Sequence, residues 1–339
     1  MVKIAVLGAG SIGCYVGGCL AAGRARVTLI GRPRIQQQLQ AHGLHVTDWR
    51  GRDAQVPWSN FQFSLSNDVL ADTDFVLVTV KSGDTESAAL LMASALNPKA
   101  VVVSLQNGVR NTEVLRRCLP DHKVLKGMVP FNVVSAGGGH FHCGTEGELM
   151  IEADPSASAL VEALQRADLP TVMSDDLEGI QWGKLLMNLN NSVNALSGIP
   201  LKEQLNRGEF RRITAMSQRE ALGLLKQAGI TPAKVGKVGP GVIPFLLCLP
   251  DWIFRRIAGS MIKIDPKARS SMYEDLALGR RTEIDFLNGE IVQLAEALGR
   301  SAPVNQAIVD LVRQAEQSQS GSPNYPAADL FRRVTSGPV

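Results

Sequence analysis

The sequence has few of the features that identify nucleic-acid-binding, disulfide-rich or metal-binding proteins. Its 339 residues carry a net charge of only +3 at pH 7, and aromatic residues make up 5% of the chain. No run of about five or more lysines and arginines occurs, so a basic patch for nucleic acid is not indicated. The five cysteines are odd in number and form no C-x-x-C pair, which argues against a disulfide framework and against a zinc site.

Long apolar runs are also missing. The longest one beyond the N-terminus, residues 242–249, is interrupted by Pro244 and followed by Pro250, and it is far shorter than the roughly 20 residues of a membrane span. The N-terminal segment MVKIAVLGAG lacks the charged start and the cleavage site of a signal peptide. These absences predict a cytoplasmic protein with neither a membrane partner nor a nucleic-acid partner.

The histidines give no stronger metal signal than the cysteines. His140 and His142 are two residues apart in a glycine-rich stretch, and no further cluster of ligand residue types stands near them in the sequence. We interpret this stretch as a surface turn and expect no metal site.

Short apolar segments alternate with helical patterns in the first half of the chain. Segments of branched apolar residues predict buried parallel strands, and the stretches between them predict helices. The predicted strands are 3–7, 26–30, 75–80 and 100–105, with 124–129 as a further candidate, and the predicted helices are 12–22 and 87–95. This alternation predicts an α/β fold, a Rossmann-type doubly wound parallel sheet with helices on both faces. Weaker, hairpin-like segments, including the glycine run 137–139, lie between residues 43 and 147.

The pattern changes near residue 175. Beyond it, apolar residues recur at spacings of three and four, and no segment predicts a strand. The predicted helices are 182–196, 209–228 and 275–298. We therefore predict two domains, an α/β domain at 1–174 and an all-helical domain at 175–339.

The first predicted strand leads directly into the turn G-A-G-S-I-G. Gly8 permits a tight turn, Gly10 lets a pyrophosphate approach the backbone, and Gly13 lets the following helix pack against the strand. Because the turn joins a strand to a helix within a βαβ unit, it predicts a dinucleotide site with the anion on the helix N-terminus. The expected contacts are Gly8, Ala9, Gly10, Ser11, Ile12 and Gly13.

The end of the second predicted strand distinguishes NAD from NADP. NAD sites usually carry an acid there for the ribose 2′-hydroxyl, but this chain has Gly31-Arg32-Pro33-Arg34. A carboxylate repels a 2′-phosphate, whereas the Arg32 guanidinium pairs with it. We therefore predict NADP(H) as the cofactor. Lys81, just past the third predicted strand, is either a second contact to the cofactor phosphates or an ordinary surface lysine.

Three further segments carry polar residues that a purely structural role explains poorly. Asn107 follows the fourth strand in S-L-Q-N-G-V-R-N and is either a turn residue or a contact to substrate and cofactor. Lys184, Asn188 and Asn191 share one face of an otherwise apolar helix that carries four asparagines. Such polar residues form either an inter-helix hydrogen-bond network or the polar wall of a site. The lysine favours the second hypothesis. Glu283 stands in a segment that by itself is typical of a helix with a solvated acidic face.

Together these motifs resemble the ketopantoate reductase (2-dehydropantoate 2-reductase) family. The resemblance extends over nearly the whole chain through GAGSIG, VKSGDT, QNG, WGKLLMN and SSMYEDLALGRRTEIDFLNGE, in the order and at the separations typical of the family. It implies an NADP-binding Rossmann domain followed by a helical, substrate-binding domain. It also implies the NADPH-dependent reduction of 2-dehydropantoate to pantoate, in the pathway to pantothenate and coenzyme A.

The resemblance further implies roles for individual residues. Lys184 matches the general acid that protonates the substrate carbonyl as hydride arrives, and Glu283 matches the glutamate that orients this lysine. A cationic acid suits that chemistry, because hydride addition places negative charge on oxygen, and partial desolvation is expected to lower the lysine pKa toward neutrality. Substrate contacts are expected at Asn107, Lys184, Asn188, Asn191, Asn194 and Ser271, and further cofactor contacts at Arg32, Lys81, Asn107, Val133 and Glu283.

One position departs from the family pattern. Many members have a second helix asparagine eight residues after the lysine, where this chain has Ser192. Asn191 and Asn194 are the alternatives for that role, which an offset or a local bulge in the helix would reconcile. The substrate therefore stays open between 2-dehydropantoate and another 2-oxo acid.

A non-catalytic NADP-binding sensor is the remaining alternative, which the pair of Lys184 and Glu283 argues against. The apolar C-terminal helices suit packing within one chain or across a homodimer.

Overall fold

The computed structural model describes residues 2–236, 238–261 and 268–336, with only the backbone described at 258–261. The chain divides into two compact units, Met1–Leu177 and Glu178–Val339. The first unit combines strands and helices, and the described part of the second contains helices and no strand. The predicted fold class, a Rossmann-type α/β domain followed by a helical domain, is confirmed.

An eight-stranded sheet organises the first unit. The strands of this unit are β1 (Lys3–Leu7), β2 (Arg26–Ile30), β3 (Leu44–Asp48), β4 (Asp53–Val56), β5 (Gln62–Ser64), β6 (Phe75–Val78), β7 (Val101–Ser104), β8 (Lys123–Met128), β9 (Val133–Gly137), β10 (His140–Cys143), β11 (Leu149–Glu152) and β12 (Thr171–Ser174). The main sheet has the order β12-β11-β8-β7-β6-β1-β2-β5, in which all neighbours from β8 to β5 are parallel. β11 pairs antiparallel with β8 and parallel with β12. The other strands form a second sheet of order β4-β3-β10-β9.

Helices cover both faces of the main sheet. They are α1 (Ser11–Ala22), α2 (Pro33–His42), α3 (Thr85–Ala93), α4 (Asn111–Cys118) and α5 (Ser158–Arg166). In β1, Ile4 and Val6 belong to the core that includes residues of α1, whereas Ala5 and Leu7 belong to the core that includes residues of α3 and α4. Because side chains alternate along a strand and both faces are covered, these strands are apolar throughout.

The glycine-rich segment around residue 138 forms a strand pair. His140 and His142 lie on β10, which pairs antiparallel with β9 and parallel with β3, so the interpretation of the two histidines as part of a surface turn is wrong. Phe141 and Cys143 are buried and alternate with the partly exposed His140 and His142, and this period of two is a strand signal that the neighbouring glycines obscured. Thr47 Oγ1 lies 2.8 Å from His140 Nε2 and 2.8 Å from His142 Nδ1, which adds side-chain bonds across β3 and β10.

The second unit is built from helices. They are α6 (Leu177–Asn188), which begins at the boundary, α7 (Asn190–Ser197), α8 (Leu201–Leu205), α9 (Gly208–Gln227), α10 (Ile243–Leu247), α11 (Asp251–Met261), α12 (Ser271–Ala277), α13 (Asn288–Ala297), α14 (Pro303–Ser318) and α15 (Ala327–Thr335). α9 matches the predicted helix at 209–228, and the predicted helix at 182–196 is divided at Leu189. No helix in the described ranges is long and apolar enough to cross a membrane.

The prediction of one helix over residues 275–298 is wrong. α12 ends at Ala277, Gly279 has a φ of +60°, and α13 begins only at Asn288 after the short 3-10 turn Ile284–Phe286. A left-handed glycine just beyond a helix end terminates the helix, and the polar residues that follow offer no apolar face to bury. This interruption determines how Glu283 is presented.

Candidate functional site

The glycine turn connects β1 to α1 at the carboxyl edge of the main sheet. β1 lies between β2 and β6, so the strand order reverses there, and ligands of doubly wound sheets bind at such a point. Gly8 N and Ala9 N each donate to Ile30 O at 3.0 Å, which fastens the turn to the end of β2.

Gly8 has a backbone conformation and a setting that exclude a side chain. Its φ is +112°, and a Cβ built there would lie 2.6 Å from Val80 N and 2.8 Å from the carbonyl carbon of Thr79. A side chain would therefore strain the backbone and displace the chain that follows β6.

Gly13 brings the first turn of α1 against the strand ends. A Cβ built on it would lie 2.2 Å from Gly8 O and 2.7 Å from Thr79 Oγ1. Thr79 Oγ1 donates to Gly8 O at 2.7 Å, so this threonine supports the turn. Thr79 was not singled out from the sequence, because it fell inside the predicted strand 75–80, whereas β6 ends at Val78.

Gly10 differs from both because open space surrounds it. It is the exposed N-cap of α1, and a Cβ built there meets no atom within 4 Å. Ser11 and Ile12 follow as the half-buried first residues of the helix. The first N–H groups of a helix have no partner within it, and the helix dipole favours an anion at that end. An open glycine at such an end fits the pyrophosphate of a dinucleotide.

Arg32 stands where the sequence predicts a contact to a 2′-phosphate. It is the N-cap of α2, and its side chain is 86% exposed. The fold also brings Asp84 to this place, with Oδ2 at 3.9 Å from Arg32 Nη2. An exposed ion pair at this distance contributes little to stability and leaves the guanidinium able to bind a phosphate. The sequence around residues 31–34 did not indicate that a carboxylate would lie near Arg32.

Lys81 and Asn107 lie on neighbouring loops at the same edge of the sheet, after β6 and β7. Lys81 is exposed at the start of the short 3-10 turn Ser82–Asp84, and Asn107 is half-buried. Ser82 Oγ donates to Asn107 O at 2.9 Å, so the two loops are joined.

A buried polar network supports these loops. Gln106 Nε2 donates to Val80 O at 3.1 Å and to Thr85 Oγ1 at 2.7 Å. Asn111 Nδ2 donates to Ser82 Oγ at 3.1 Å, and Gln106, Thr85 and Asn111 are all buried. None of these three was assigned a role from the sequence, where only their position after strand ends distinguished them.

Val133 is the first residue of β9 in the second sheet. Its side chain is half-buried and packs against the core that includes residues of α1. This contact gives the residue a packing role in the first unit, and its cofactor contact remains a prediction.

In the second unit, Lys184 lies in α6 and is partly buried. Burial lowers the pKa of its ammonium from 10.5 to about 8, and the charge of Glu283 acts in the opposite direction. The expected depression of this pKa is therefore confirmed, with burial as its main cause. A lysine in this range exchanges protons near neutral pH.

Tertiary folding brings Glu283 close enough for its charge to act on Lys184. Glu283 is half-buried and precedes the 3-10 turn Ile284–Phe286, in which Ile284 N donates to Thr282 Oγ1 at 3.1 Å. A solvated acidic helix face does not describe this residue, because its segment is not an α-helix.

Two of the asparagines form an inter-helix hydrogen-bond network. Asn190 Oδ1 accepts from Gln204 Nε2 at 2.8 Å and from Thr214 Oγ1 at 3.0 Å. Asn194 is fully buried, donates to Gln204 Oε1 at 3.1 Å and accepts from Ser270 N at 2.8 Å. The structural alternative raised from the sequence therefore applies to these two residues.

Asn188 and Asn191 are half-buried and stand on either side of the break at Leu189. Ser192 is buried and donates its hydroxyl to Leu189 O at 2.9 Å. Of the three candidates for the second helix role, Asn191 keeps a partly exposed side chain, whereas Asn194 and Ser192 are occupied by protein contacts.

Ser271 is exposed at the first position of α12. Its neighbour Ser270 is the buried N-cap, which accepts from Tyr273 N at 3.2 Å and donates to Asn191 O at 3.1 Å. Ser270 therefore fixes the start of the helix, and Ser271 remains accessible.

Other chemistries have little support in the described residues. They contain no group of three or more histidines, cysteines and acids placed to hold a metal ion. The five cysteines are free, and burial raises the pKa of the Cys14 and Cys19 thiols to about 12, which makes them unreactive.

Comparison with known proteins decides the family. The family model for ketopantoate reductase PanE/ApbA matches residues 4–155, and the model for the C-terminal domain of the same family matches residues 176–316. The chain belongs to the ketopantoate reductase family. It is therefore an oxidoreductase, and the resemblance inferred from its motifs is confirmed.

Curated relatives match over almost their whole length. The 2-dehydropantoate 2-reductase of Halobacterium salinarum is 28% identical over 325 residues, covering 93% of this chain and 99% of the relative. That of Archaeoglobus fulgidus is also 28% identical, over 324 residues, covering 93% and 98%.

Solved structures share the complete fold. A PanE/ApbA family ketopantoate reductase from Ralstonia eutropha is 34% identical, with a TM-score of 0.81 over 94% of this chain and 99% of its own. A D-mandelate dehydrogenase solved with NADH and anilino(oxo)acetate is 21% identical, with a TM-score of 0.75 over 94% and 99%. The second likeness establishes the fold alone.

Proposed function

We propose that this protein reduces 2-dehydropantoate to pantoate with NADPH, as a step of the pathway to pantothenate and coenzyme A. The observation that carries the proposal is a partly buried Lys184, with a pKa of about 8, within reach of the charge of Glu283. The full-length family match and the relatives named 2-dehydropantoate 2-reductase support the same reaction. A cytoplasmic location accompanies the proposal as a prediction.

Lys184 is the proton donor in this reaction. When bound, a nicotinamide cofactor supplies the hydride for the carbonyl carbon of the substrate. As negative charge develops on the carbonyl oxygen, the Nζ ammonium of Lys184 stabilises it and donates a proton to it. At its ordinary pKa of 10.5 a lysine is a poor donor near neutral pH, and burial removes this disadvantage.

Glu283 complements this role. Its negative charge favours the ammonium form of Lys184. The lysine therefore still carries its proton at neutral pH, although burial lowers its pKa. Asn188, Asn191 and Ser271 keep partly or fully exposed side chains in the same unit and are the proposed partners of the substrate's carboxylate and hydroxyl groups. Asn194 is the least suited of the expected contacts, because its amide is buried among protein partners.

The first unit binds the cofactor in this proposal. The open end of α1 at Gly10 receives the pyrophosphate, and the Arg32 guanidinium pairs with the 2′-phosphate. Lys81 is a second cation at the same edge of the sheet, and Asn107 contacts both ligands. Selectivity for NADP over NAD depends mainly on Arg32, with Asp84 as an opposing charge 3.9 Å away.

Another 2-oxo acid is the second candidate substrate. Ser192 stands where many family members carry an asparagine, and a D-mandelate dehydrogenase of the same fold was solved with anilino(oxo)acetate. An NADP-binding sensor without catalysis is disfavoured, because a lysine with a lowered pKa beside a glutamate has no function in mere binding.

A panel of oxo acids tests the proposal. Purified protein is given 2-dehydropantoate, pyruvate or 2-oxoisovalerate with NADPH or NADH, and oxidation of the cofactor is followed by absorbance. We expect kcat/KM for 2-dehydropantoate with NADPH to exceed the others by at least about tenfold, which corresponds to about 1.4 kcal/mol of selective binding. A preference for another acid supports the second candidate. Cofactor binding without turnover of any acid supports the sensor.

A further inference from the structure

The segment that carries Glu283 is fastened to α14, a helix that holds none of the expected site residues. Contacts to α14 come from Thr282, Asp285 and Asn288, on both sides of Glu283. Glu283 itself lies outside any α-helix, with φ −98° and ψ 27°, so the regular backbone bonds of a helix do not fix its place. Its own carbonyl accepts from Phe286 N at 3.0 Å, and the contacts of its neighbours with α14 contribute further to its position.

Of these contacts with α14, the one nearest to Glu283 in the sequence is made by Glu316. Its Oε1 accepts from Thr282 N at 2.6 Å, one residue before Glu283. Glu316 lies in the last turn of α14, where the negative end of the helix dipole disfavours a carboxylate. The helix dipole therefore does not favour this acid, whereas the hydrogen bond with Thr282 N stabilises its carboxylate.

A second support lies two residues beyond Glu283. Arg313 Nε and Nη2 donate to Asp285 Oδ1 at 3.1 Å and 2.7 Å. Both side chains are about half exposed, so the pair adds little to global stability, but it fixes the direction of the segment. Between the two supports Ile284 is buried, which anchors the short turn in the core.

We propose that Glu316 is a positioning residue: by holding Thr282, it keeps Glu283 next to Lys184, with Arg313 as a weaker second support. The inference rests on the proposed function, in which Lys184 donates the proton. Neither Glu316 nor Arg313 touches the substrate in this scheme, since both act through the Glu283 segment.

Loss of the Glu316 contact has a definite electrostatic consequence. The pKa of Lys184 reflects burial, which lowers it, and the charge of Glu283, which raises it. If Glu283 moves away, burial acts with less opposition and the lysine loses its proton at lower pH. Reduction requires the ammonium form, so its rate should begin to fall at a lower pH than in the unaltered protein.

The test compares Glu316→Ala with Glu316→Gln, whose amide oxygen can still accept from Thr282 N. Glu296→Ala is the control, because Glu296 is an exposed acid in the last turn of α13. Two quantities are measured against pH: kcat/KM for reduction, and the rate at which acetic anhydride acylates Lys184 in the protein alone, read by mass spectrometry of the peptide. In Glu316→Ala we expect both midpoints to fall by about half a pH unit, a fraction of the one to three units that a close opposite charge contributes.

The other two variants distinguish a positioning role of Glu316 from a direct effect of its charge. Glu316→Gln and Glu296→Ala should keep the midpoints of the unaltered protein. Unchanged midpoints in Glu316→Ala overturn the proposal, and so does an equal shift in Glu316→Gln, which would show the charge of Glu316 acting directly. If Glu316→Ala does not fold, Asp285→Asn replaces it. We expect a smaller shift of the midpoints in the same direction. Unchanged midpoints again contradict the inference. If the unaltered protein reduces no oxo acid, the proposed function fails, and acylation still tests the positioning.

Discussion

The glycine turn of the first unit and the Lys184–Glu283 pair of the second are built in different ways. In the first, Gly8, Gly10 and Gly13 act through the space that a missing side chain leaves for backbone, helix or ligand. In the second, the proposed roles of Lys184 and Glu283 depend on charged side chains that folding brings together from distant segments. A site made of backbone is contiguous in the sequence and is recognised as a motif. A site made of side chains is dispersed, and its members gain their properties only from their surroundings.

Substitutions in the two kinds of site should also have different consequences. A substitution in the glycine turn changes the shape of the turn, so it should affect cofactor affinity or folding. A substitution of Lys184 changes charge and proton transfer, so it should affect the chemical step. The four predictions that follow test this contrast.

The largest effect is expected for Lys184→Ala. Loss of a general acid usually costs about a hundredfold or more in rate, so kcat should fall by at least that factor. The dissociation constant of NADPH, measured by fluorescence titration, should hardly change, because the glycine turn remains intact. Retained turnover would remove Lys184 from its role, and a parallel loss of NADPH affinity would break the contrast between the two sites.

The glycine turn offers a pair of substitutions with opposite expectations. Gly10→Ser adds a side chain where no protein atom lies within 4 Å, and serine is a favourable N-cap, so stability should be maintained. NADPH affinity should nevertheless fall by about tenfold or more, because the pyrophosphate needs that space. Gly13→Ala should instead lower the Tm, since its Cβ would lie 2.2 Å from Gly8 O. Thermal melts and titrations of both variants separate the two outcomes, and an unaffected affinity in Gly10→Ser would place the cofactor elsewhere.

A smaller, selective effect is expected for Arg32→Ala. The side chain is 86% exposed, so stability should not change, whereas a charge-assisted bond to a phosphate is lost. NADPH affinity should fall by roughly tenfold while NADH affinity stays the same. Asp84→Asn is the matched variant and should strengthen NADPH binding slightly, because it removes a carboxylate 3.9 Å from Arg32. Equal losses for both cofactors would contradict the assignment of the 2′-phosphate to Arg32.

The last prediction concerns the stability of the fold, and its sign follows from the pKa of Lys184. Between pH 8 and 10.5 the folded chain has lost a proton that the unfolded chain retains, so the free energy of unfolding rises with pH in this interval. Below pH 8 the full cost of burying the ammonium is present. Lys184→Met should therefore be more stable than the unaltered protein at pH 7, by on the order of 2 kcal/mol, with a smaller difference at pH 9.5. Urea denaturation at both values measures this, and a destabilised variant at pH 7 would show that Lys184 stabilises the fold instead.

Some features of the fold were predictable because they depend on neighbours in the chain. Continuous apolar strands such as 3–7 predicted a sheet covered on both faces, and the glycines of the turn that follows predicted a dinucleotide site. The misassigned helix at 275–298 shows the limit of this reasoning. Its apolar spacing was helical on both sides of Gly279, and a left-handed glycine with a polar continuation was enough to divide it.

By itself the sequence determined the α/β and helical architecture, the glycine turn and the pairing of Lys184 with Glu283 as a hypothesis of chemistry. Only the tertiary structure separated Asn194, which is buried in a hydrogen-bond network, from the partly exposed Asn191. It alone brought Asp84 to Arg32 and Glu316 to the Glu283 segment. The physical reason is that local pattern is set by short-range sterics and the burial of neighbouring side chains. Burial, charge environment and the pKa of a lysine depend on atoms contributed by remote parts of the chain.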